Sequence, residues 1–161
     1  MAGVIAGVAS AARPGESDGE WRKFEGEWFT VEYPANFKVR PSLKLHSHQT
    51  RPDSAFFTAP GGEVEFYVFS PQWSGEPSDI MPDPKTEIVN DETTRTEGGR
   101  TVREWDIKAR DGSYFRAIAD TTAHEGTVRW VFGIKYRDKA SYDRWRPTYL
   151  RFKKSLQQFA D

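Results

Sequence analysis

Cysteine is absent from this 161-residue chain. That absence removes disulfides, thiolate nucleophiles, cysteine-ligated zinc and iron–sulfur clusters together. It leaves the compartment open, because a chain without thiols suits any of them. An excess of either charge is also missing: 23 Lys and Arg stand against 24 Asp and Glu, a formal net charge of −1. A nucleic-acid binder usually carries a basic excess or a basic face, and a disordered chain usually combines few aromatics with a large net charge. Neither description fits. No run of eighteen apolar residues occurs, so no transmembrane helix is encoded. There is no G-x-S-x-G elbow and no G-x-x-x-x-G-K-[ST] loop, the sequence signs of a serine hydrolase and of a phosphate cradle. No internal repeat or low-complexity block is present.

What the chain does have is aromatic side chains, 14 % of residues with six Trp and eleven Phe. The length suits one domain with a substantial core. The clearest signal lies in the last third. From Thr127 to Tyr136, Val128, Trp130, Phe132, Ile134 and Tyr136 alternate with Thr127, Arg129, Val131, Gly133 and Lys135, the period of a strand. From Ser141 to Phe159, Tyr142, Trp145, Tyr149, Phe152, Leu156 and Phe159 recur at helical spacing. At 100° per residue they fill about 100° of arc, a core-facing stripe. Pro147 interrupts this pattern and implies a short segment at Lys139–Trp145, a break, and then the main helix. Laying the helix across a sheet buries both dry faces. The expected fold is α+β: an antiparallel sheet of six to eight strands with a C-terminal amphipathic helix on one face. Trp105, Trp130, Phe132, Trp145, Phe152 and Leu156 are expected to be buried together.

Met1–Ala12 is small and apolar and ends in an A-x-A pattern, which reads as the latter half of a secretory signal peptide cleaved near Ala11 or Ala12. No Lys or Arg precedes it, so the alternative is a plain leader. The expectation is export, periplasmic or secreted, with the cytoplasm otherwise. Residues 13–20 form a polar linker, and the folded domain is expected over 21–161. Strands are expected at Glu27–Tyr33, Phe37–Arg40, Ala55–Thr58, Glu63–Phe69, Thr86–Thr94, Arg100–Ala109 and Ser113–Asp120. Val64, Phe66 and Val68 share one face of their strand while Tyr67 and Phe69 occupy the other, which marks a central strand.

The candidate sites are few. His46 and His48 point the same way if extended, with Asp53 nearby, but a metal site needs a third protein ligand; solvated histidines are the simpler reading. Asp120 to Gly126, with His124 and Glu125, reads as a turn. Glu63 and Glu65 read as solvated carboxylates outside a core strand, and Asp79 and Asp83 form a second carboxylate pair. The basic residues Arg144, Arg146, Arg151, Lys153 and Lys154 suit a helix's wet face and its C-terminal dipole. No metal and no cofactor is implied. Ser70–Lys85 is the exception: four prolines in sixteen residues exclude a long helix, and long loops inside compact domains are often functional. Trp73, Ile80 and Met81 are its candidate binding residues. Either they contact a partner or the loop folds back over the sheet's second face.

Three segments carry a resemblance: WFTVEYPANFKV at 28–39, FFTAPGGEVEFYVFSP at 56–71, and the C-terminal KYRDKASYDRW…YLRFKKSLQQF. An early aromatic strand ending in Tyr-Pro, and a closing strand running through KYR into a helix with Ser-Leu near its end, resemble the PsbP-like superfamily. That group also takes in a Ran-binding nuclear import factor and DcrB-like bacterial proteins. The resemblance covers about 130 residues of hydrophobic pattern. It implies a non-enzymatic accessory or binding protein, often exported, whose partner is another protein; it carries over no active site. One departure is plain, since members have a helix midway where this chain has Ser70–Lys85. The alternative is a small apolar-ligand carrier of helix-grip type. Such carriers have two helices after the first strand, and Tyr33–Phe37 leaves no room for them.

Overall fold

The computed structural model describes residues 19–72 and 75–159. Strands β1 (Trp21–Glu25) and β2 (Phe29–Pro34) open the chain, followed by β3 (Lys38–Pro41), β4 (Ser54–Thr58) and β5 (Val64–Phe69). Then come β6 (Glu87–Glu97), β7 (Arg100–Ala109), β8 (Phe115–Ala123), β9 (Val128–Tyr136), helix α1 (Lys139–Lys154) and the two-residue β10 (Gln157–Gln158). Seven strands form one sheet in the order β3-β4-β5-β9-β8-β7-β6, and β1-β2-β10 form a second. Every pairing in both sheets is antiparallel. The architecture is therefore α+β, antiparallel sheet with one helix, C-terminal, among the described residues.

The helix starts because Asp138 caps it: its backbone is extended and its carboxylate accepts from the Ser141 N–H at 2.8 Å. Arg151, Lys153 and Lys154 occupy the last turn, where positive charge suits the dipole. The buried stripe of Trp145, Tyr149 and Phe152 lies over Phe57, Phe66, Phe132 and Ile134, with Phe29 and Val31 of β2 closing the same core. Phe152 is fully buried, with ring centroids 5.2 Å from both Phe57 and Phe66 and 5.8 Å from Phe132. A second core occupies the opposite face of the sheet, with Phe56, Tyr67, Phe69, Ile80, Trp105, Ile107, Ile118 and Val131.

Four expectations change. The helix ends at Lys154, not Phe159. Ser155 turns the chain there: its hydroxyl donates to the Phe152 carbonyl at 2.6 Å and accepts from the Glu32 N–H at 2.8 Å. Gln157 and Gln158 then pair with β2. Leu156 still packs on the core, while Phe159 is exposed. Nor does Pro147 break the helix, which runs through it in one piece. Pro147 lies on the solvent side, so water can satisfy the carbonyl that loses its N–H partner, and Trp145, Thr148 and Tyr149 pin both halves. Trp105 does not join Trp130, Phe132 and Phe152. It pairs with Ile118, which pairs with Gly133, which pairs with Tyr67, and opposed residues share a face; that row lies under the second core. Glu63 is no solvated carboxylate either. Its side chain is only 15 % exposed and accepts from the Trp145 indole at 2.6 Å and from Arg144 at 2.8 Å. The Trp145 bond leads the effects that lower its pKa.

Candidate functional site

The chain from Gly75 to Lys85 lies across the sheet's second face, and polar side chains rising from the sheet hold it there. Ser54 on β4 and Tyr67 on β5 each donate to the Asp79 carboxylate at 2.6 Å. Arg116 on β8 donates to the Ile80 carbonyl at 2.9 Å, and Arg129 on β9 to the Gly75 carbonyl. Ile80 fills the space between these bonds, 5 % exposed among Trp105, Ile107 and Ile118. The loop thus does for this face what the helix does for the other.

Two ion pairs beneath the loop lie in low-dielectric surroundings. Arg116 grips Glu87 with two bonds of 2.8 and 2.7 Å, the side chains 11 % and 5 % exposed. Tyr114 and the Asp83 N–H complete the Glu87 carboxylate at 2.9 and 3.0 Å. Burial by itself would push the Glu87 pKa up; the bonds from Arg116, Asp83 and Tyr114 outweigh it and hold it below its usual value. Arg129 grips Asp120 in the same two-pronged way at 3.0 and 2.6 Å. Tyr67 is the opposite case. Burial, then the Asp79 charge, push its phenol far above the ordinary range, so it stays a permanent donor. Glu87 and Tyr67 are each locked in one protonation state, and neither is poised for proton transfer near neutral pH.

Between the loop's C-terminal half and strands β5, β9 and β8 an open groove of about 330 Å³ remains. Its floor contains Tyr67, Gly133 and Ile118. Gly133 opens it, since a Cβ there would stand 3.4 Å from that of Tyr67. Two cations lie along the rim over aromatic rings, Arg40 at 4.0 Å from the Phe56 centroid and Lys135 at 4.3 Å from that of Tyr114. Met81 stands at the same rim, 45 % exposed.

Of the three residues singled out in the sequence, Ile80 faces inward and Met81 outward, while Trp73 lies outside the described residues. The leader at 1–12 and its expected cleavage site also lie outside them. His46 and His48 are exposed with rings stacked at 5.9 Å. Asp53 is turned away from them, buried and accepting from the Leu45 N–H and the Gln49 amide. Among the described residues no group of three His, Asp or Glu side chains is arranged to hold a metal. His124 and Glu125 form a tight turn with positive φ of 51° and 58°.

Arg116, Glu87 and Arg129 are residues that sequence reasoning missed, and Asp120, read there as the start of a turn, lies inside β8 and pairs with Arg129. A signal for them existed. Arg116 and Asp120 alternate on β8 with Ile118, and Arg129 shares a face of β9 with Val131 and Gly133. Charges on a face that also carries buried aliphatic residues must be paired.

No family model matches the sequence and no curated protein does. Solved structures do match. The solution structure of cyanobacterial PsbP from Synechocystis is similar with a TM-score of 0.52 at 10 % identity, over 94 % of this chain and 99 % of that one. The Ran-binding protein Mog1p of Saccharomyces cerevisiae matches with a TM-score of 0.44 at 9 % identity, over 88 % of this chain and 96 % of that one. At such identities a likeness speaks for architecture alone, and by that measure this chain has the PsbP-like fold.

Proposed function

We propose that this chain is an exported, non-enzymatic protein-binding module that presents the Ser70–Lys85 loop to its partner. One observation carries the reading: the loop is tied to the sheet through Asp79, Ile80 and Gly75, yet holds the apolar Met81 out at 45 % exposure. An apolar tip on an ordered loop loses little entropy when a partner covers it. Ile80 serves this surface as an anchor from below. Trp73 is assigned to it by its position in the loop. The locked protonation states of Glu87 and Tyr67 favour binding over catalysis at the groove. The carrier alternative needs an enclosed apolar cavity between helix and sheet; there Phe66 meets Tyr149 and Phe152 at 5.1 and 5.2 Å between centroids. The groove of about 350 Å³ beside Tyr142, Tyr149 and Lys153 is open and carries Asp91, Glu104 and Asp106.

Met81→Asp places a charge at that tip. Affinity capture from extract of the native host is expected to retain a defined partner on the wild type. The variant should bind that partner about tenfold or more weakly, at a stability change within about 0.5 kcal/mol. Equal retention by both proteins would remove the loop from the contact surface. Export has its own check, the N-terminal mass of the protein purified from its host. Cleavage near Ala11 or Ala12 is expected, and an intact Met1 or Ala2 terminus on cytosolic material refutes it.

A further inference from the structure

Strand β6 is eleven residues long and forms one edge of the seven-stranded sheet. It pairs with β7 along one side, and from Ile88 to Glu97 every residue is exposed. On one face Asp91 and Thr93 border an open groove that reaches Tyr142, Tyr149 and Lys153 of the helix. A long, solvent-exposed edge is a template for another strand. The composition of β6 says which strand it suits.

Asp91 lies directly opposite Asp106 on β7. Like charges in that position destabilise a sheet, and no cation among the described residues forms an ion pair with either. A bulge between Val89 and Asp91 leaves the regular ladder running from Asp91 to Glu97. In an antiparallel pairing of two identical strands about a twofold axis, opposed residues share a face, so the axis must pass through a residue. Each possible centre can be checked against the charges of β6. Centring on Asp91, Glu92 or Arg95 sets that charge against its own copy. Centring on Thr94 opposes Asp91 to the partner's Glu97. Centring on Asn90 or Thr96 opposes no like charges either, but brings no cation to Asp91. Centring on Thr93 does both: Thr93 meets its copy, Glu92 meets the partner's Thr94, and Asp91 meets the partner's Arg95 twice over.

We propose that β6 is a self-association edge, and that a second copy of this chain pairs with it antiparallel about Thr93. The two sheets become one. The partner's Arg95 supplies the cation that the Asp91–Asp106 pair lacks, while each Arg95 keeps its own 2.9 Å bond to Glu104. The dimer so formed leaves Met81 and the groove beside it accessible, since the loop's bond to β6 is at Glu87, outside the Asp91–Arg95 span that pairs about Thr93.

Analytical ultracentrifugation of the full chain, from micromolar to submillimolar concentration, tests this. A species of twice the chain mass of 18.4 kDa is expected to grow with concentration. Asp91→Arg alone sets Arg against the partner's Arg95, and Arg95→Asp alone sets Asp against the partner's Asp91; each should weaken the dimer about tenfold or more. The double exchange Asp91→Arg with Arg95→Asp restores opposite charges and should restore the dimer. Thr93→Arg, at the axis, offers a second route to the monomer. Circular dichroism and thermal midpoints confirm that each variant is folded. A wild type that stays monomeric throughout the range overturns the proposal. So does a folded double exchange that fails to recover the dimer, or single variants that dimerise like the wild type.

Discussion

Phe152→Ala is expected to destabilise the protein by about 3–5 kcal/mol, the range for truncating a buried phenylalanine. The position justifies the upper part of that range. Phe152 is fully buried, and its ring meets those of Phe57, Phe66, Phe132 and Tyr149, so four aromatic contacts go with it. Those rings come from β4, β5, β9 and the helix itself. They cannot all move into one cavity without shifting the helix on the sheet. Denaturant unfolding measures the loss through the midpoint at unchanged slope. Lys154→Ala, one half-turn further on and exposed, is the control and should stay within about 0.5 kcal/mol. A loss below about 1 kcal/mol for Phe152→Ala would mean that the helix does not depend on this docking.

Arg116→Ala is expected to cost about 3–5 kcal/mol, because it strands the buried Glu87 carboxylate without its cation. It also removes the bond from Arg116 to the Ile80 carbonyl, so the loop should loosen with it. The pH dependence separates the charge effect from lost packing. In the wild type, the Glu87 carboxyl titrates below the ordinary glutamate value of 4.5. A carboxyl with a depressed folded pKa contributes stability that is complete above the unfolded value and is lost as pH falls through the folded one. In the variant, burial acts without the Arg116 bonds and raises that pKa, so acidification relieves the stranded charge. The stability gap between wild type and Arg116→Ala should therefore be widest near neutral pH and narrow below about 4.5. A gap that is constant across pH would mean that Arg116 acts through packing alone.

Much of the fold is legible in the sequence. Alternation placed β2, β4, β5, β7, β8 and β9 close to their observed bounds, because a strand with one buried face must write that face into every second residue. The elements that escaped are those without an internal signal. Gln157 and Gln158 are polar on both sides and become a strand only because β2 offers hydrogen bonds. The helix stripe runs on through Leu156 to Phe159 with correct spacing, yet Ser155 finds the Glu32 N–H and ends the helix. Periodicity cannot register a competing partner 123 residues away in sequence. The candidate site was legible as a loop and much less so as an arrangement. Its prolines marked the segment. The side chains that hold it, Tyr67, Arg116 and Arg129, read as ordinary strand residues.

Residue order alone determined that this protein has strands with two apolar faces, a closing amphipathic helix and a proline-rich segment too irregular to be a helix. These are local properties, decided by spacing within about ten residues. Tertiary structure decided which dry face meets which cover. Alternation shows that Trp105 and Ile107 share a side of β7, and it is silent on whether that side meets the helix or the loop. The strand register settles this, through the row from Trp105 by Ile118 and Gly133 to Tyr67. The same is true of the charges. Glu63 and Glu87 look alike in the sequence as carboxylates at the edge of a strand. One became the acceptor for Trp145 and Arg144, the other for Arg116 and Tyr114. A buried charge is satisfied by groups that the fold brings to it, and the side chains that do so here lie 27 to 82 residues away along the chain.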